Sequence, residues 1–379
     1  MKSKNKNILI FIDWFIPAYK AGGPISSVLN LVNHLSGKFN FFIVTGDRDL
    51  GDSKSYENVE FNVWVQVNNY KVIYLTKPNQ NKKKYISIYN NINPDYVYLN
   101  SLYSYRFSIL PLLSFKSNNG SIFLSPRGMF GPRSLKVKVF KKKVFLYFSK
   151  VIGLYKNVRW IASSEIEQKE IFLNMGNGVE INVIPNLPIK QNKNNKPSAL
   201  KEKGEILLIC ICRISPIKNI NFLFDVLENV PSKVSLSIVG PIEDKGYWNK
   251  CLLKLNKLPP NIRVKYIGEK SPSSISNLLL EHHCLVSTSL NENYGHSIVE
   301  ALSLSCPVLV SNHTPWRDLE NHLAGVNLDL KTNLYAEKIN FFAEMGQDEF
   351  VRYRNGALDY FNKKIDLDIF KDSYIKLFC

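Results

Sequence analysis

Long apolar runs are the first thing missing from this chain of 379 residues. No stretch approaches the 18 or so consecutive apolar residues of a membrane-spanning helix, so no such helix is expected. The run behind the first lysines, in MKSKNKNILIFIDWFIP, extends only from Ile8 to Ile12 before Asp13 interrupts it. No small-residue cleavage site follows, and the segment reads as a first buried strand rather than a signal peptide. A cytoplasmic location is expected. Cysteine is sparse: six residues, five of them in the second half. Cys210 and Cys212 alternate within a strand-like segment and have no second pair at zinc-site spacing, which points to free thiols in a reducing compartment and to no bound metal. Acid is absent between residues 101 and 150, where ten Lys and Arg meet no Asp or Glu. Residues 1–190 carry 26 basic against 11 acidic side chains, or +15, whereas residues 191–379 carry 23 against 21, or +2. The first half therefore suits an anionic partner and the second does not. No nucleic-acid motif accompanies the charge, so nucleic acid is not expected as that partner.

What is present is a folded chain, 45% apolar and 12% aromatic. Its length argues for two domains of roughly 150–200 residues. Short apolar runs alternate with amphipathic stretches: Ile8–Ile12, then SSVLNLVNHL, then FNFFIVTG, KVIYL, DYVYLN, SIFLSPRG, VRWIASS and EINVIPN. This is the pattern of parallel strands joined by helical crossovers. The polar segment LPIKQNKNNKPSALKEKGE breaks the pattern and reads as a linker. The alternation then restarts with EILLICICR and continues to PVLVSN. Two doubly wound, Rossmann-like α/β domains facing each other across a cleft are expected. The boundaries are an N-terminal domain over 1–188, a linker over 189–204, a C-terminal domain over 205–350 and a helical tail over 351–379. Asn355-Gly356 reads as a break in that tail. His282-His283 reads as a structural pair at a helix end, and Asp366-Leu367-Asp368 as a helix cap.

Ligands of such sheets bind where strand-end loops meet helix N-termini, and three loops carry suitable chemistry. In RISPIKN, Arg213 and Lys218 bring a guanidinium fork and a point charge to one loop, which suits a diphosphate. An ordinary solvated basic loop is the alternative. In STSLNENYGHS, Gly295 permits close backbone approach, and the amides near His296 and Ser297 would head a helix and face an anion. Glu300, expected in the first turn of that helix, could accept both hydroxyls of a ribose, and Glu292 could reach hydroxyls on the other side of the phosphates. The alternatives are a glutamate favoured by the helix dipole and a solvated surface carboxylate. In AGGPISS, Gly22 and Gly23 offer unobstructed amides, with a plain tight turn as the alternative. This is not the G-x-G-x-x-G dinucleotide pattern.

RISPIKNINFLFDVL, LSIVGP and NENYGHSIVEALSLSCPVLVSN resemble the C-terminal half of family 4 nucleotide-sugar glycosyltransferases, which have the GT-B fold. Glu292 and Glu300 match the E-x7-E signature of that family. AGGPISSVLNLVNHL, TGDRDLGD, LSPRGMFGPRSLKVKVFKKKVF and ASSEIEQKEI resemble its bacterial cell-surface polysaccharide members. The resemblance implies a retaining, metal-independent transfer with no cofactor beyond the nucleotide-sugar donor, UDP- or GDP-linked. It implies that Arg213 and Lys218 hold the diphosphate, Glu300 the ribose and Glu292 the donor sugar, with Arg213, Lys218 and Glu292 as the catalytic set. Gly22, Gly23, Gly240, Tyr294, Gly295, His296 and Ser297 complete the donor contacts. The acceptor implied is a lipid-linked surface glycan in polysaccharide, O-antigen or capsule synthesis, and the tail is expected to return to the N-terminal domain.

The chain departs from the family at Arg127 in SPRGM, where many members carry histidine. The sole histidine of the first half, His34, sits within a helical pattern. Arg127 is therefore assigned to the acceptor side. Asp47-Arg48-Asp49 spells the D-x-D metal triplet of a different glycosyltransferase fold, but it follows the second strand, away from the expected donor, so no metal role is assigned to it. The segment 133–156 mixes Arg133, Lys136, Lys138, Lys141, Lys142 and Lys143 with Val137, Val139, Phe140, Phe145, Leu146 and Phe148. Basic amphipathic helices of this kind lie on anionic membranes, and the inner face of the cell membrane is the expected surface. A solvated helix face is the alternative. Competing functions are a nucleotide-sugar epimerase of the same fold and a non-catalytic membrane- or nucleic-acid-binding protein.

Overall fold

Strand β1 (Asn7–Phe11) shows why this chain folds in layers. Ile8, Leu9, Ile10 and Phe11 are all fully buried. Ile8 and Ile10 join one apolar cluster while Leu9 and Phe11 join another, because successive side chains point to opposite faces. Covering both faces with helices requires an unbroken apolar strand, hence the short continuous run. The computed structural model describes residues 5–115, 121–131, 139–189 and 198–379. Within it the chain forms two compact units, residues 1–190 with 367–379, and residues 191–366.

The first unit is built on an eight-stranded sheet in the order β3-β4-β2-β1-β5-β6-β7-β8. Its strands after β1 are β2 (Asn40–Gly46), β3 (Trp64–Val67), β4 (Tyr70–Leu75), β5 (Tyr96–Leu99), β6 (Ser121–Leu124), β7 (Val158–Ala162) and β8 (Ile181–Val183). All neighbours run parallel except β3, which joins β4 antiparallel at the edge. The helices are α1 (Gly23–Leu35), α2 (Lys82–Ile92), α3 (Leu110–Phe115), α4 (Val139–Val151) and α5 (Glu165–Met175). The periodicity of SSVLNLVNHL places a helix correctly, but α1 begins earlier, with Pro24 in its first turn, where a missing N–H costs nothing. His34 is structural: its Nε2 lies 3.0 Å from the carbonyl oxygen of Pro188.

The second unit holds a six-stranded parallel sheet in the order β11-β10-β9-β12-β13-β14. Its strands are β9 (Glu205–Ile211), β10 (Lys233–Val239), β11 (Ile262–Gly268), β12 (Cys284–Ser287), β13 (Val308–Ser311) and β14 (Gly325–Leu328). They alternate with α6 (Ile220–Leu227), α7 (Lys245–Leu255), α8 (Pro272–Glu281), α9 (His296–Ser303), α10 (Thr332–Glu344) and α11 (Gln347–Lys364). His283 is buried; its Nδ1 accepts the Leu207 amide at 3.0 Å and its Nε2 lies 2.9 Å from the Leu200 carbonyl. Burial holds its pKa down at about 4, so it packs as a neutral ring.

The tail departs from expectation in two ways. It does not act as one piece from residue 351. Phe350 and Tyr353 of α11 enter the core of the second unit, and only α12 (Leu367–Phe378) joins the first. There Phe378, fully buried, meets the rings of Phe39, Tyr96 and Phe123 at 5.4–5.6 Å, a burial that contributes about 2 kcal/mol on transfer scales. Second, Asn355-Gly356 does not break the helix. A Cβ on Gly356 would stand 2.3 Å from the His322 carbonyl oxygen, so the glycine serves close packing rather than a turn. Much of the linker, residues 190–197, lies outside the described residues. No described helix is long and apolar enough to cross a membrane.

Candidate active site

The carboxyl ends of β9, β10 and β12 bring three loops of the second unit together. After β9 the chain runs through Arg213 into a tight turn at Pro216–Lys218, from which α6 starts. After β10, Gly240 adopts φ +137°, and a Cβ there would fall 2.0 Å from the Cys212 carbonyl oxygen. Only glycine lets these two loops touch. The contact is then fastened by the amides of Glu243 and Asp244, which both donate to the Ile214 carbonyl. It delivers Glu243 to Arg213, whose Nη1 lies 2.9 Å from Glu243 Oε1 with both side chains largely in solvent. Glu243 was not foreseen from the sequence; it comes from a loop 30 residues downstream.

The loop after β12 is stitched to the same turn. Thr288 Oγ1 donates to the carbonyls of Lys218 and Asn219, and the Leu290 amide donates to Ile217. The ammonium of Lys218 consequently pairs with the carboxylate of Glu292, each only 17% exposed. Cys212 lies within reach of this group. The Cys210 thiol, 3.8 Å away, draws its pKa down, and Lys218 and Arg213 add to the effect, while burial and Glu292 oppose it. The six cysteines are free thiols.

Gly295, at φ +74°, is the N-cap of α9, and His296 and Ser297 open the helix. Tyr294 is buried, its carbonyl accepting from Trp316 Nε1 at 2.7 Å and its ring edge-on to His296 at 4.9 Å. Glu300 is the fifth helical residue, not a first-turn residue as expected, because α9 starts directly at His296. The helix dipole, which fades beyond the first turn, therefore does not account for it. Its half-buried carboxylate makes no hydrogen bond or ion pair among the described residues, and burial pushes its pKa up to about 7. A carboxylate without a partner on the helix that follows a strand-end loop is suited to accepting ligand hydroxyls.

Gly22, Gly23 and Arg127 belong to the first unit. Gly22, at φ +65°, is the N-cap of α1, and Gly23 is its first residue. The D-x-D triplet holds this loop in place: Asp49 accepts the amides of Tyr19, Lys20 and Leu50, and Asp47 accepts from Arg48 and Ser55. Both aspartates are buried in these structural duties. Arg127 sits at the end of β6, hydrogen-bonded to Tyr98, Asn100 and Asn186. The part of the basic segment over 132–138, with Arg133, Lys136, Val137 and Lys138, lies outside the described residues, as do the side chains of Val139 and Phe140. The rest of α4 buries Leu146 and exposes Val144, Tyr147, Phe148 and Val151, with Ile152 beyond its end, beside exposed Lys141, Lys143 and Lys150.

Residues 191–355 match the family described as Glycosyl transferases group 1. No curated protein matches the chain. Among solved structures, Anabaena Alr3699/HepE in complex with UDP-glucose is 14% identical, with a TM-score of 0.71 over 98% of this chain and 99% of that one. WaaG, a glycosyltransferase involved in lipopolysaccharide biosynthesis, is 12% identical, with a TM-score of 0.65 over 98% and 99%. A trehalose-6-phosphate synthase, studied for glycosyl transfer with retention, is 9% identical, with a TM-score of 0.65 over 99% of each chain. The fold is GT-B, two Rossmann-like domains of parallel sheet and helices. The domain match and the shared fold support a glycosyltransferase.

Proposed function

We propose that this chain transfers a sugar from a nucleotide diphosphate donor, UDP- or GDP-linked, to a surface glycan carried on a lipid, with retention at the anomeric carbon. The observation that carries this reading is the pairing of Lys218 with Glu292 on the loop that leads through Gly295 into α9, together with the unpartnered Glu300 on that helix. The diphosphate takes Lys218 and Arg213, supported by the amides of Gly295, His296 and Ser297 and by the glycine turn at Gly240. Glu300 accepts the ribose hydroxyls. Glu292, released from Lys218, accepts hydroxyls of the donor sugar, and Tyr294 packs beneath. The bond between the anomeric carbon and the phosphate oxygen breaks, the acceptor oxygen bonds to that carbon on the same face, and its proton passes to the departing phosphate oxygen. In this scheme the protein's task is to stabilise the developing phosphate charge with its own cations rather than with a metal ion. HepE, with its bound UDP-glucose, and WaaG support the donor class and the glycan setting.

The apolar and basic face of α4 docks on an anionic membrane, which would hold the enzyme at the cytoplasmic surface where a lipid-linked acceptor lies. Screening uridine- and guanosine-linked sugars by thermal stabilisation, followed by the anomeric configuration of the product, tests the reading. Stabilisation by no nucleotide sugar, or an inverted product, overturns it. Lys141, Lys142 and Lys143 changed together to glutamine should weaken binding to phosphatidylserine vesicles and leave donor affinity as it was.

A further inference from the structure

Arg127 follows β6 at the carboxyl edge of the first sheet, where β5, β7 and β8 end beside it. Its backbone is left-handed, φ +53°, and Gly128 follows at +76°. A residue with a Cβ keeps such a conformation only when its surroundings impose it. They do: Glu167, fully buried, accepts the Gly128 amide at 2.6 Å and the amide and hydroxyl of Ser163 at 2.7 Å. The turn aims the guanidinium at Asn100 Oδ1 at 2.6 Å, Tyr98 OH at 3.0 Å and Asn186 Oδ1.

All three partners are neutral. The oxygens of Glu167 are engaged by Gly128 and Ser163, and no acidic side chain among the described residues pairs with Arg127. The guanidinium is partly shielded from water, and the nearby carboxylate of Glu167 is turned to the Gly128 and Ser163 amides rather than to it. Donors also exceed acceptors around it. Arg127 Nε and Asn100 Nδ2 are buried and have no partner, and Asn100 is 3% exposed. A half-buried cation held by amide and phenol oxygens, with spare donors beside it, is matched by an acceptor-rich, negatively charged group.

We propose that Arg127 and Asn100 form an anion receptor in the first unit and that the acceptor sugar is itself anionic, bearing a phosphate or a carboxylate. The proposal rests on the transferase reading for the word acceptor, but the receptor stands on its own geometry. Calorimetry on the full chain tests it with methyl glucuronide, a hexose 1-phosphate and neutral methyl glucoside as titrants. At least one charged sugar should bind tenfold or more tightly than the neutral one. The carboxylate and phosphate arms tell an acidic glycan from a lipid phosphate. Arg127→Gln should abolish the advantage. So should Asn100→Asp, a near-isosteric change that sets a carboxylate on the guanidinium. A melting temperature at or above wild type in the aspartate variant separates loss of free charge from misfolding. Lys218→Ala should leave the advantage in place. Equal binding of charged and neutral sugars, or an advantage lost in Lys218→Ala but kept in Asn100→Asp, overturns the receptor. If the receptor behaves as described while no nucleotide sugar binds, the transferase reading fails alone. If transfer proceeds equally well to charged and neutral acceptors, the claim that the acceptor sugar is anionic is overturned while the transferase reading stands.

Discussion

The two units treat their strand-end cations differently. In the second, Lys218 is paired with Glu292 and Arg213 with Glu243. In the first, Arg127 donates only to neutral oxygens. The difference follows the overall charge, since residues 191–379 are nearly balanced and residues 1–190 carry +15. A site that must grip and then release a dianionic leaving group gains from counter-charges that exchange with it, because no bare cation is left behind in the shielded loop. A site that selects one charged partner gains from leaving its cation uncompensated. On the proposed reading, the units keep an anion site ready in two ways.

Removing Lys218 should break the exchange at its centre. Lys218→Ala takes the charge from the leaving phosphate and strands the shielded carboxylate of Glu292. By analogy with the loss of an oxyanion-hole donor, kcat should fall about 100-fold or more. Full turnover in the variant would refute the donor-site assignment. Gly240→Ala should come next, acting through the backbone. A Cβ forced against the Cys212 carbonyl, at a φ that alanine rarely adopts, should cost about 2–4 kcal/mol. A lower melting temperature and weaker nucleotide-sugar binding are expected together, since the same contact seats Arg213. An unchanged melt would mean that the two loops tolerate separation.

How much of this was legible in the sequence depends on the distance between the participants. Arg213 and Lys218 share one strand-to-helix loop, and Glu292 and Gly295 share another with Glu300 on the helix behind it, so residue type and strand-end position were enough to single them out as candidates. Glu243 was invisible because its pairing depends on the close approach at Gly240. The partners of Arg127 come from two segments, Tyr98 and Asn100 at the end of β5 and Asn186 after β8, that only the assembled sheet aligns. Strand β3 was missed because WVQV is a short edge strand with little burial, lacking the apolar run that marked the others. Asn355-Gly356 misled because turn chemistry and close helix packing select the same residue.

Glu300 allows the comparison to be sharpened by pH. Burial raises its pKa from 4.5 to about 7, so the folded state holds a proton that the unfolded chain releases over that interval. Its contribution to stability therefore falls as pH rises from 4.5 to 7. Ribose hydroxyls donate best to the ionised form, so donor affinity should move the other way and strengthen about tenfold between pH 6 and 8. An intact nucleotide sugar, whose diphosphate does not titrate there, is the proper titrant. Glu300→Gln should flatten the profile, lower affinity by about tenfold at pH 8, and melt higher than wild type at that pH. A wild-type profile already flat would remove Glu300 from the ribose.

The smallest effect should come from Glu243→Gln, and it addresses the exchange most directly. The Arg213–Glu243 pair is 41% and 42% exposed, so solvent screens it and it is worth at most about 1 kcal/mol. If Glu243 only holds Arg213 until the diphosphate arrives, removing its charge should tighten nucleotide-sugar binding two- to fivefold at low salt. The gain should shrink as ionic strength rises toward 0.5 M, where screening already weakens the pair. Should the variant bind more weakly instead, Glu243 would be orienting Arg213 toward the phosphates rather than competing with them, and the second unit would owe its affinity to a fixed scaffold rather than to exchangeable charge.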